Sequence, residues 1–238
     1  MAEPTQIADI VSLKDLTPHV REMVLLPREH QMTFRPGQWV SLKLPVGAHQ
    51  PLNRAYSLAD PEVTTGQLTL VLDHVPGGQG SGYLFSLKAG DRLSVSGPYG
   101  NFVVSEPPAK PLVFIGRYTG LVPLRCMVRA FEREGMTRSI TLFATAPHDG
   151  ERLYHQEFLA LAERCGRFRY FPVAQGGSGP DKEATDLTAT MELVKQVVGG
   201  ERHVTPMICG IKAFARPLRA FFVELGFDRR EVKIETYD

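Results

Sequence analysis

The sequence predicts an antiparallel β-barrel domain followed by an α/β domain built on a doubly wound parallel sheet. Short apolar runs of strand length, separated by Pro, Gly, Asn and Asp, fill the first half. Alternating strand-like and helical patterns fill the second half. Three prolines within residues 107–111 separate the two patterns, and such a segment does not continue a sheet interior. We therefore expect one domain at residues 1–106 and another at residues 111–238.

Six strands are expected in the first domain. Several short strands at fairly even spacing, without a long helical pattern, are typical of an antiparallel barrel or sandwich. A glycine-rich stretch near residue 80 interrupts this pattern and is expected to open one short helix. The expected strands are residues 7–13, 19–26, 38–44, 54–58, 67–74 and 92–97.

The second domain begins with a continuous apolar run, which is typical of a buried parallel strand. Ligands bind doubly wound sheets beyond the carboxyl ends of the strands. The loops after Ile115, Ala144 and Cys209 are therefore the expected ligand-binding loops. The expected strands are residues 112–115, 139–144, 167–173, 203–209 and 231–235, with helices at 123–133, 154–164, 187–198 and 212–225 and a polar loop at 175–183.

The bulk composition excludes several classes of protein. A formal net charge of +1 over 238 residues gives no support for a nucleic acid or an anionic membrane as a partner. No apolar run approaches the roughly 20 residues of a transmembrane helix, and the first residues lack a signal-peptide pattern. The 3 widely spaced cysteines fit a reducing, cytoplasmic location and cannot supply the four cysteine ligands of a [2Fe–2S] cluster within this chain. The histidines show no ligand spacing, so no metal site is expected.

A short motif at residues 54–58 combines groups that suit a phosphate-bearing aromatic ligand. On an extended strand, Arg54 and Tyr56 point to one face and Ser57 to the other. An arginine fork binds two phosphate oxygens at once, and a tyrosine ring can lie against a planar ligand such as a flavin. The alternative is an ordinary strand with a surface arginine and a half-buried tyrosine.

The glycine-rich residues 76–84 form the second informative stretch. Glycines let backbone N–H groups approach a ligand closely, and a helix N-terminus adds partial positive charge. The hydroxyl of Ser81 could cap this helix or bind phosphate. The alternative is a flexible surface loop without a ligand.

These motifs, taken together, resemble those of the ferredoxin–NADP reductase superfamily over nearly the whole chain. No single motif is specific, but their joint order and spacing is. In chain order they are PGQ at 36–38, RxYS at 54–57, GGxxS ending at Ser81, GDxxxxxGPxGxF at 90–102, TGxxP at 119–123, CG at 209–210 and ExY at 235–237.

The resemblance implies an FAD-binding barrel followed by a nicotinamide-nucleotide domain. It implies that Arg54 contacts the FAD phosphates, that Tyr56 stacks on the flavin, and that Ser57 lies near flavin N5. It further implies that the loop before Ser81 holds the pyrophosphate through backbone donors. The implied cofactor-binding residues are Arg54, Ala55, Tyr56, Ser57, Val71, Gly78, Gly80, Ser81, Thr119 and Pro123.

The resemblance also implies a hydride-transfer site made of Ser57, Cys209, Glu235 and Tyr237. Tyr237 would cover the flavin face that nicotinamide must reach, so its ring would have to move aside. Each residue has an alternative role. Cys209 ends a buried strand and could serve packing alone, and the last residues could be a frayed tail.

The sequence departs from the superfamily pattern at the nucleotide loops. Two glycines usually precede TGxxP, but Arg117 and Tyr118 stand there, with more bulk and less backbone freedom. The usual CGPP becomes CGIK, so Ile211 and Lys212 replace two prolines. The stretch after the second strand, residues 145–149, carries no arginine for a 2′-phosphate.

The expected function is an FAD-dependent oxidoreductase that passes electrons between NADH or NADPH and a separate acceptor. The acceptor would be a protein such as a ferredoxin or flavodoxin, or a larger redox complex. Because of the altered loops, one alternative is a flavoprotein electron-transfer subunit of a complex with lost or weakened nicotinamide binding. A flavin-binding regulatory or assembly module without turnover is a further alternative.

Overall fold

The computed structural model describes residues 5–47, 50–62, 64–105, 110–173 and 182–237. The chain folds into two compact units. The first unit comprises Met1–Val104 with Arg125–Ala130, and the second comprises Ser105–Leu124 with Phe131–Asp238.

An antiparallel sheet of six strands forms the first unit. Its strands follow the order β4-β3-β6-β1-β2-β5, and every neighbouring pair is antiparallel. This arrangement confirms the predicted antiparallel barrel domain. The strands are β1 Gln6–Thr17, β2 Val20–Pro27, β3 Trp39–Leu44, β4 Leu52–Ser57, β5 Leu68–Asp73 and β6 Arg92–Tyr99.

Alternating burial along the strands creates the core of this unit. In β3, the side chains of Val40, Leu42 and Leu44 are fully buried, while the residues between them are more exposed. This period of two is the pattern of a strand with one buried face. The short helix α1 (Gln79–Ser86) adds the side chain of Leu84 to the same core. Helix α1 therefore has a fixed position against the sheet.

Part of helix α2 (Leu121–Arg133) also belongs to the first unit. Cys126 is fully buried in the core cluster of the barrel. Arg125, only 6% exposed, donates a hydrogen bond to the Ala59 carbonyl at 2.9 Å. Arg129 forms an ion pair with Asp60 at 3.2 Å. An apolar contact and two arginines thus attach this helix segment to residues 59–60.

A parallel sheet of five strands forms the second unit. Its order is β11-β10-β7-β8-β9, and every neighbouring pair is parallel. The chain order reverses between β7 and β10, as it does in doubly wound sheets. The remaining elements are β7 Leu112–Arg117, β8 Ile140–Thr145, α3 His155–Arg164, β9 Phe168–Pro172, α4 Lys182–Val198, β10 Thr205–Gly210, α5 Lys212–Glu224 and β11 Lys233–Thr236.

Several element boundaries differ from the sequence prediction. Helix α2 begins at Leu121 rather than at Pro123, because proline is tolerated in the first turn, where its missing N–H has no partner to lose. Helix α4 begins at Lys182 rather than at residue 187, because good helix formers extend it beyond the apolar pattern. Most of the predicted polar loop at 175–183 lies outside the described residues.

None of the helices that the structure describes is both long enough and apolar enough to cross a bilayer. Nor do the described residues include a group of three or more His, Cys, Asp or Glu side chains that could hold a metal ion.

Candidate functional site

The edges of strands β4 and β5 form a seam in the first unit. These two strands lie at opposite ends of the sheet order, and the bridge between Leu58 and Leu70 joins them. No β4–β5 ladder is found among the described strand pairs, so the backbone groups of these two edges are not paired with each other in a regular sheet. Backbone N–H and C=O groups on unpaired edges can bind a partner. We call residues 54–57 of β4 and 71–73 of β5 the β4–β5 seam.

The motif around Arg54 lies on the β4 side of this seam. Tyr56 pairs with Val40 of β3 and packs partly against the core, while Arg54 is exposed and donates to the Asn53 carbonyl at 2.9 Å. Burial raises the pKa of Tyr56 to about 12, so its phenol remains protonated. Ala55 is exposed, and Ser57 is half-buried opposite Trp39. The seam thus presents a cation and an aromatic ring together.

The glycine loop follows the β5 side of the seam directly. Gly78 is the N-terminal cap of α1, and a Cβ there would lie 2.8 Å from the Ser81 hydroxyl oxygen. A Cβ on Gly80 would lie 3.4 Å from Nε of Arg54, so the guanidinium lies against the first turn of α1. The first turn carries no acidic residue. Backbone donors and a cation therefore meet at one helix N-terminus.

The hydroxyl of Ser81 holds this loop together. It accepts a hydrogen bond from the Val75 amide at 3.2 Å and lies 3.0 Å from the Val75 carbonyl oxygen. Gly77 adopts a φ of +74°, which favours glycine. The predicted contact of Ser81 with phosphate stays a prediction, and the structure gives its hydroxyl a second role in shaping the loop.

The surroundings of the loop leave room for a ligand. An open depression of about 570 Å³ is lined by Val46, Gly47, Gly78, Gln79, Gly82 and Tyr83. On β5, Val71 is 5% exposed and lies two residues before Asp73. A cation, a glycine-rich helix N-terminus and an adjacent ring fit a planar group that carries a diphosphate, as FAD does.

The second candidate site lies at the carboxyl ends of β7 and β10, where the strand order reverses. Gly116 of β7 is the register partner of Cys209 of β10. Gly120 lies so close to β10 that a Cβ there would be 2.3 Å from the Cys209 carbonyl oxygen. Thr119 lies in the 3-10 turn before α2, and Pro123 is buried in its first turn. Ligands bind doubly wound sheets at this kind of edge.

Three of the four predicted hydride-transfer residues come together in the second unit. Cys209 is the register partner of Glu235 on β11. Tyr237, one residue beyond β11, donates a hydrogen bond to the Arg117 carbonyl at 3.2 Å. The fourth residue, Ser57, lies on β4 of the first unit. Their joint role in hydride transfer stays a prediction.

Burial sets the protonation of the Cys209–Glu235 pair. Burial raises the pKa of Glu235 to about 7, and its Oε2 atom is buried without a hydrogen-bond partner among the described residues. Burial, together with the nearby Glu235 carboxylate, raises the pKa of the Cys209 thiol well above its ordinary value. The pair therefore consists of a neutral thiol and a carboxyl group that exchanges a proton near neutral pH.

Side chains fill part of the same edge. Tyr118 has a φ of +52°, a conformation that bulky residues rarely adopt, and its hydroxyl donates to Oε2 of Glu151 at 3.1 Å. Glu151 is only 2% exposed and ends the 3-10 turn that follows β8. Glu151 was not among the site residues predicted from the sequence. An acidic residue shortly after the second strand was the available signal, since such residues can bind a ribose hydroxyl.

The other departures from the superfamily pattern have separate structural roles. Ile211 is the N-terminal cap residue of α5 and packs against the core of the second unit. Lys212 is the exposed first residue of that helix. Arg152 forms an ion pair with the exposed Asp149 at 2.7 Å. These residues therefore lie at the starts of helices and in the loop after β8.

Comparison with known proteins identifies the family. A family model described as the oxidoreductase FAD-binding domain matches residues 8–104. Ferredoxin–NADP reductase B of Sorangium cellulosum (strain So ce56) is 32% identical over 243 residues, covering 100% of this chain and 99% of that protein. The chain belongs to the ferredoxin–NADP reductase family. Members of this family are flavin-dependent oxidoreductases, and this chain is an FAD-dependent oxidoreductase.

Two further proteins to which the chain is similar are longer than it. The phenol 2-monooxygenase reductase component DmpP of Pseudomonas sp. (strain CF600) is 35% identical over 164 residues, covering 68% of this chain and 45% of that protein. The crystal structure of the Amycolatopsis cytochrome P450 reductase GcoB matches with a TM-score of 0.81 and 25% identity, covering 99% of this chain and 71% of that chain. This chain thus spans less than half of the DmpP protein and about seven-tenths of GcoB.

Proposed function

We propose that the chain passes electrons between a nicotinamide nucleotide and a separate electron-transfer partner, by way of FAD bound at the β4–β5 seam. The observation that carries the nicotinamide part of this proposal is the buried Oε2 atom of Glu235 in the second unit, which has no hydrogen-bond partner in the described part of the chain. A buried polar atom without a partner is costly, and a bound ligand can satisfy it. Glu235 adjoins Cys209 at the edge where doubly wound sheets bind nucleotides.

The bound FAD would supply the hydride-accepting chemistry, and the protein would supply position and electrostatics. In this proposal Arg54 and the amides of the α1 N-terminus bind the diphosphate, and Tyr56 stacks on the ring. Thr119 and Pro123 shape the nucleotide loop. Glu235 holds or releases a proton at its carboxyl group near neutral pH, because burial raises its pKa to about 7. The functional domains would then be residues 1–106 and 111–238.

The electron acceptor would be a separate protein such as a ferredoxin or flavodoxin, or a partner in a larger redox complex. The names of the relatives, a ferredoxin–NADP reductase and the reductase component of a monooxygenase, support this assignment. The 3 cysteines of the chain cannot supply a four-cysteine cluster. We also infer a cytoplasmic location, which the sparse cysteines support.

Anaerobic mixing tests the proposal. The purified protein, loaded with FAD, is mixed with NADH or with NADPH while the flavin absorbance is followed. Bleaching by either nucleotide, followed by reoxidation on adding a ferredoxin or flavodoxin, is the expected result. Flavin that dithionite reduces but neither nucleotide bleaches would contradict nicotinamide use and leave FAD binding intact.

NADH is expected to serve at least as well as NADPH. The guanidinium of Arg152 is already paired with Asp149, and residues 145–149 carry no arginine that could bind a 2′-phosphate. The ratio of kcat/KM for the two nucleotides measures this preference. A clear preference for NADPH would mean that Arg152 or another base binds the extra phosphate.

One observation favours a second candidate, a flavoprotein electron-transfer subunit with weakened nicotinamide binding. The hydroxyl of Tyr118 is bonded to Glu151, so this ring bridges the loops that follow β7 and β8. The hydroxyl of Tyr237 is likewise bonded to the Arg117 carbonyl. A dinucleotide approaching the N-terminus of α2 would have to displace these side chains, at the cost of their hydrogen bonds.

Replacing both Arg117 and Tyr118 with glycine tests this candidate. NADH binding, titrated through the flavin absorbance, should tighten relative to wild type, because the backbone amides become accessible. The single variant Tyr118→Phe keeps the ring and removes only the hydrogen bond to Glu151. It therefore separates the effect of the ring's bulk on NADH binding from the effect of the hydrogen bond. Weaker NADH binding by the double glycine variant would identify Arg117 as a phosphate ligand.

A further inference from the structure

Arg21 of β2 lies outside every motif that carries the family resemblance. Its backbone pairs with Asp15 of β1 on one side and with Leu72 of β5 on the other. The side chain is only 19% exposed and reaches Phe85 of helix α1, 64 residues further along the chain. One arginine therefore links three strands of the first unit to the helix that the glycine loop opens.

The guanidinium of Arg21 contacts both the backbone and the side chain of Phe85. Its Nη1 atom donates a hydrogen bond to the Phe85 carbonyl at 2.9 Å, and its Cζ atom lies 4.7 Å from the centre of the Phe85 ring. A cation over the face of an aromatic ring at this distance is attracted to it. Phe85 lies in the last turn of α1, so both contacts act on the C-terminal end of this helix.

Asp15 orients the guanidinium of Arg21 toward α1. Nε of Arg21 donates to Oδ1 of Asp15 at 2.6 Å, and Nη2 lies 3.4 Å from Oδ2. These two nitrogens form a planar fork with the carboxylate, and the third nitrogen then points in a fixed direction. The side chain thus uses two nitrogens for β1 and one for α1. A lysine, with a single nitrogen on a flexible stem, cannot reproduce this set of contacts.

Helix α1 depends on such contacts because it is short. A helix of eight residues is not stable in isolation, and the last carbonyl groups of any helix lack a partner within it. The last turn of α1 contains no basic residue of its own. The hydroxyl of Ser86 donates to the Tyr83 carbonyl at 2.7 Å. Arg21 supplies the donor for the Phe85 carbonyl, together with the positive charge that the C-terminal end of a helix dipole favours.

The position of the last turn of α1 determines the position of its first turn. Eight residues span only about 12 Å, so a displacement at Phe85 moves the first turn as well. The first turn carries Gly80, beside which the guanidinium of Arg54 lies. A helix that frays in the free protein has to be ordered when a ligand binds, and this ordering lowers the affinity. Fixing the last turn in advance therefore favours binding at the first turn.

We propose that Arg21 is a positioning residue for FAD, which holds the last turn of α1 so that the first turn is already in place to bind the diphosphate. Arg21 does not itself touch the cofactor, and Asp15 acts only by orienting Arg21. This role rests on the proposed binding of the FAD diphosphate at the N-terminus of α1. It is independent of whether a nicotinamide nucleotide binds.

Three variants and two flavins test the proposal. Arg21→Ala removes the anchor, whereas Arg21→Lys keeps a charge that can reach either Asp15 or the Phe85 carbonyl. Arg28→Ala is the matched control, because it removes an arginine of the same unit that pairs with Asp9 at 2.6 Å. The dissociation constants of FAD and riboflavin for the apoprotein are measured by flavin fluorescence. Riboflavin has the same ring as FAD but carries no phosphate.

Arg21→Ala is expected to weaken FAD binding by about tenfold and to leave riboflavin binding unchanged, because only the diphosphate uses the first turn of α1. Arg21→Lys should lose less, and Arg28→Ala should match wild type. Unchanged FAD binding by Arg21→Ala would overturn the proposal. An equal loss for FAD and riboflavin would overturn it as well, since Arg21 would then serve the stability of the whole unit.

Amide hydrogen exchange of the apoprotein measures the anchor directly. In Arg21→Ala the protected amides of α1 should exchange faster by on the order of tenfold, while those of β3 keep their wild-type rates, because only α1 opens locally. Equal acceleration in both segments, or in neither, would overturn the proposal.

A second pair of variants replaces Arg21→Ala if that variant fails to fold, judged by circular dichroism. Asp15→Asn and Arg21→Lys are then compared with wild type by the same two measurements, with smaller changes expected in the same directions. Wild-type protein that binds FAD no more tightly than riboflavin would instead contradict the proposed diphosphate site. The exchange rates of α1 would in that case still test the anchor.

Discussion

The loop between β5 and α1 and the loop between β7 and α2 occupy equivalent places, since each joins a strand to the N-terminus of a helix. The first is rich in glycine, and a Cβ on Gly77 or Gly82 would meet no atom within 4 Å. The second contains Tyr118, whose hydroxyl is bonded to Glu151. The first helix start is therefore open to a ligand, whereas side chains of its own unit cover the second.

This contrast shows that a helix N-terminus becomes an anion site only if nothing else approaches its amides. The helix dipole and the unsatisfied N–H groups exist at both helices. At α1, the guanidinium of Arg54 lies beside Gly80 and adds positive charge. At the start of α2, Gly120 instead contacts the backbone of β10, and neighbouring side chains are already paired. Packing in front of the helix decides the difference.

The largest effect is expected when the cation beside the open loop between β5 and α1 is removed. Arg54→Ala should weaken FAD binding by about 1.5–3 kcal/mol, which is roughly 10- to 150-fold, because a charge-assisted phosphate contact is lost. Flavin fluorescence titration of the apoprotein measures this change. The control is Arg92→Ala, which removes an exposed arginine of the same unit that pairs with Asp9 at 3.3 Å. Equal affinities for the two variants would rule out Arg54 as a phosphate ligand.

A somewhat smaller effect is expected from adding a side chain at Gly120, where the loop between β7 and α2 lies against β10. Gly120→Ala places a Cβ 2.3 Å from the Cys209 carbonyl oxygen, so backbone must shift. The free energy of unfolding should fall by about 1–3 kcal/mol, as in other overpacked sites. Calorimetric or denaturant-induced unfolding measures it. The control Gly200→Ala adds a Cβ with no atom within 4 Å. A loss in the control as large as that in Gly120→Ala would contradict this explanation.

The smallest expected effect concerns pH. Burial raises the folded pKa of Glu235 to about 7 from its ordinary value of 4.5, so the folded state binds this proton more tightly than the unfolded state. The resulting stabilisation is complete below about pH 4.5 and is lost as the pH rises through about 7. Because the carboxyl group is only partly buried, we expect a change of about 1–2 kcal/mol.

Thermal unfolding of wild type and Glu235→Gln between pH 5 and pH 8 checks this expectation. The wild-type protein should lose stability across this window relative to the glutamine variant, which cannot ionise at that position. Parallel pH profiles for the two proteins would show that Glu235 has an ordinary pKa and that its surroundings are wetter than the structure indicates.

The sequence by itself determined the fold class, the order of the two domains and the family. Strand-length apolar runs, the proline-rich junction and the alternating second half are local patterns, and local patterns can be recognised without knowledge of distant contacts. The sequence also indicated the motif at residues 54–57 and the glycine loop before Ser81. Residue type alone is enough here, because arginine can bind two phosphate oxygens and glycine makes the backbone flexible.

Only the tertiary structure decided which residues meet. Strands β4 and β5 meet although they lie at opposite ends of the sheet order, because the bridge between Leu58 and Leu70 joins them. Tyr118 reaches Glu151, 33 residues away, because parallel strands β7 and β8 end side by side. Burial beside Cys209 leaves one carboxyl oxygen of Glu235 without a hydrogen-bond partner among the residues that the structure describes. Such pairings depend on strand register and burial between segments far apart in the chain, which no local pattern encodes.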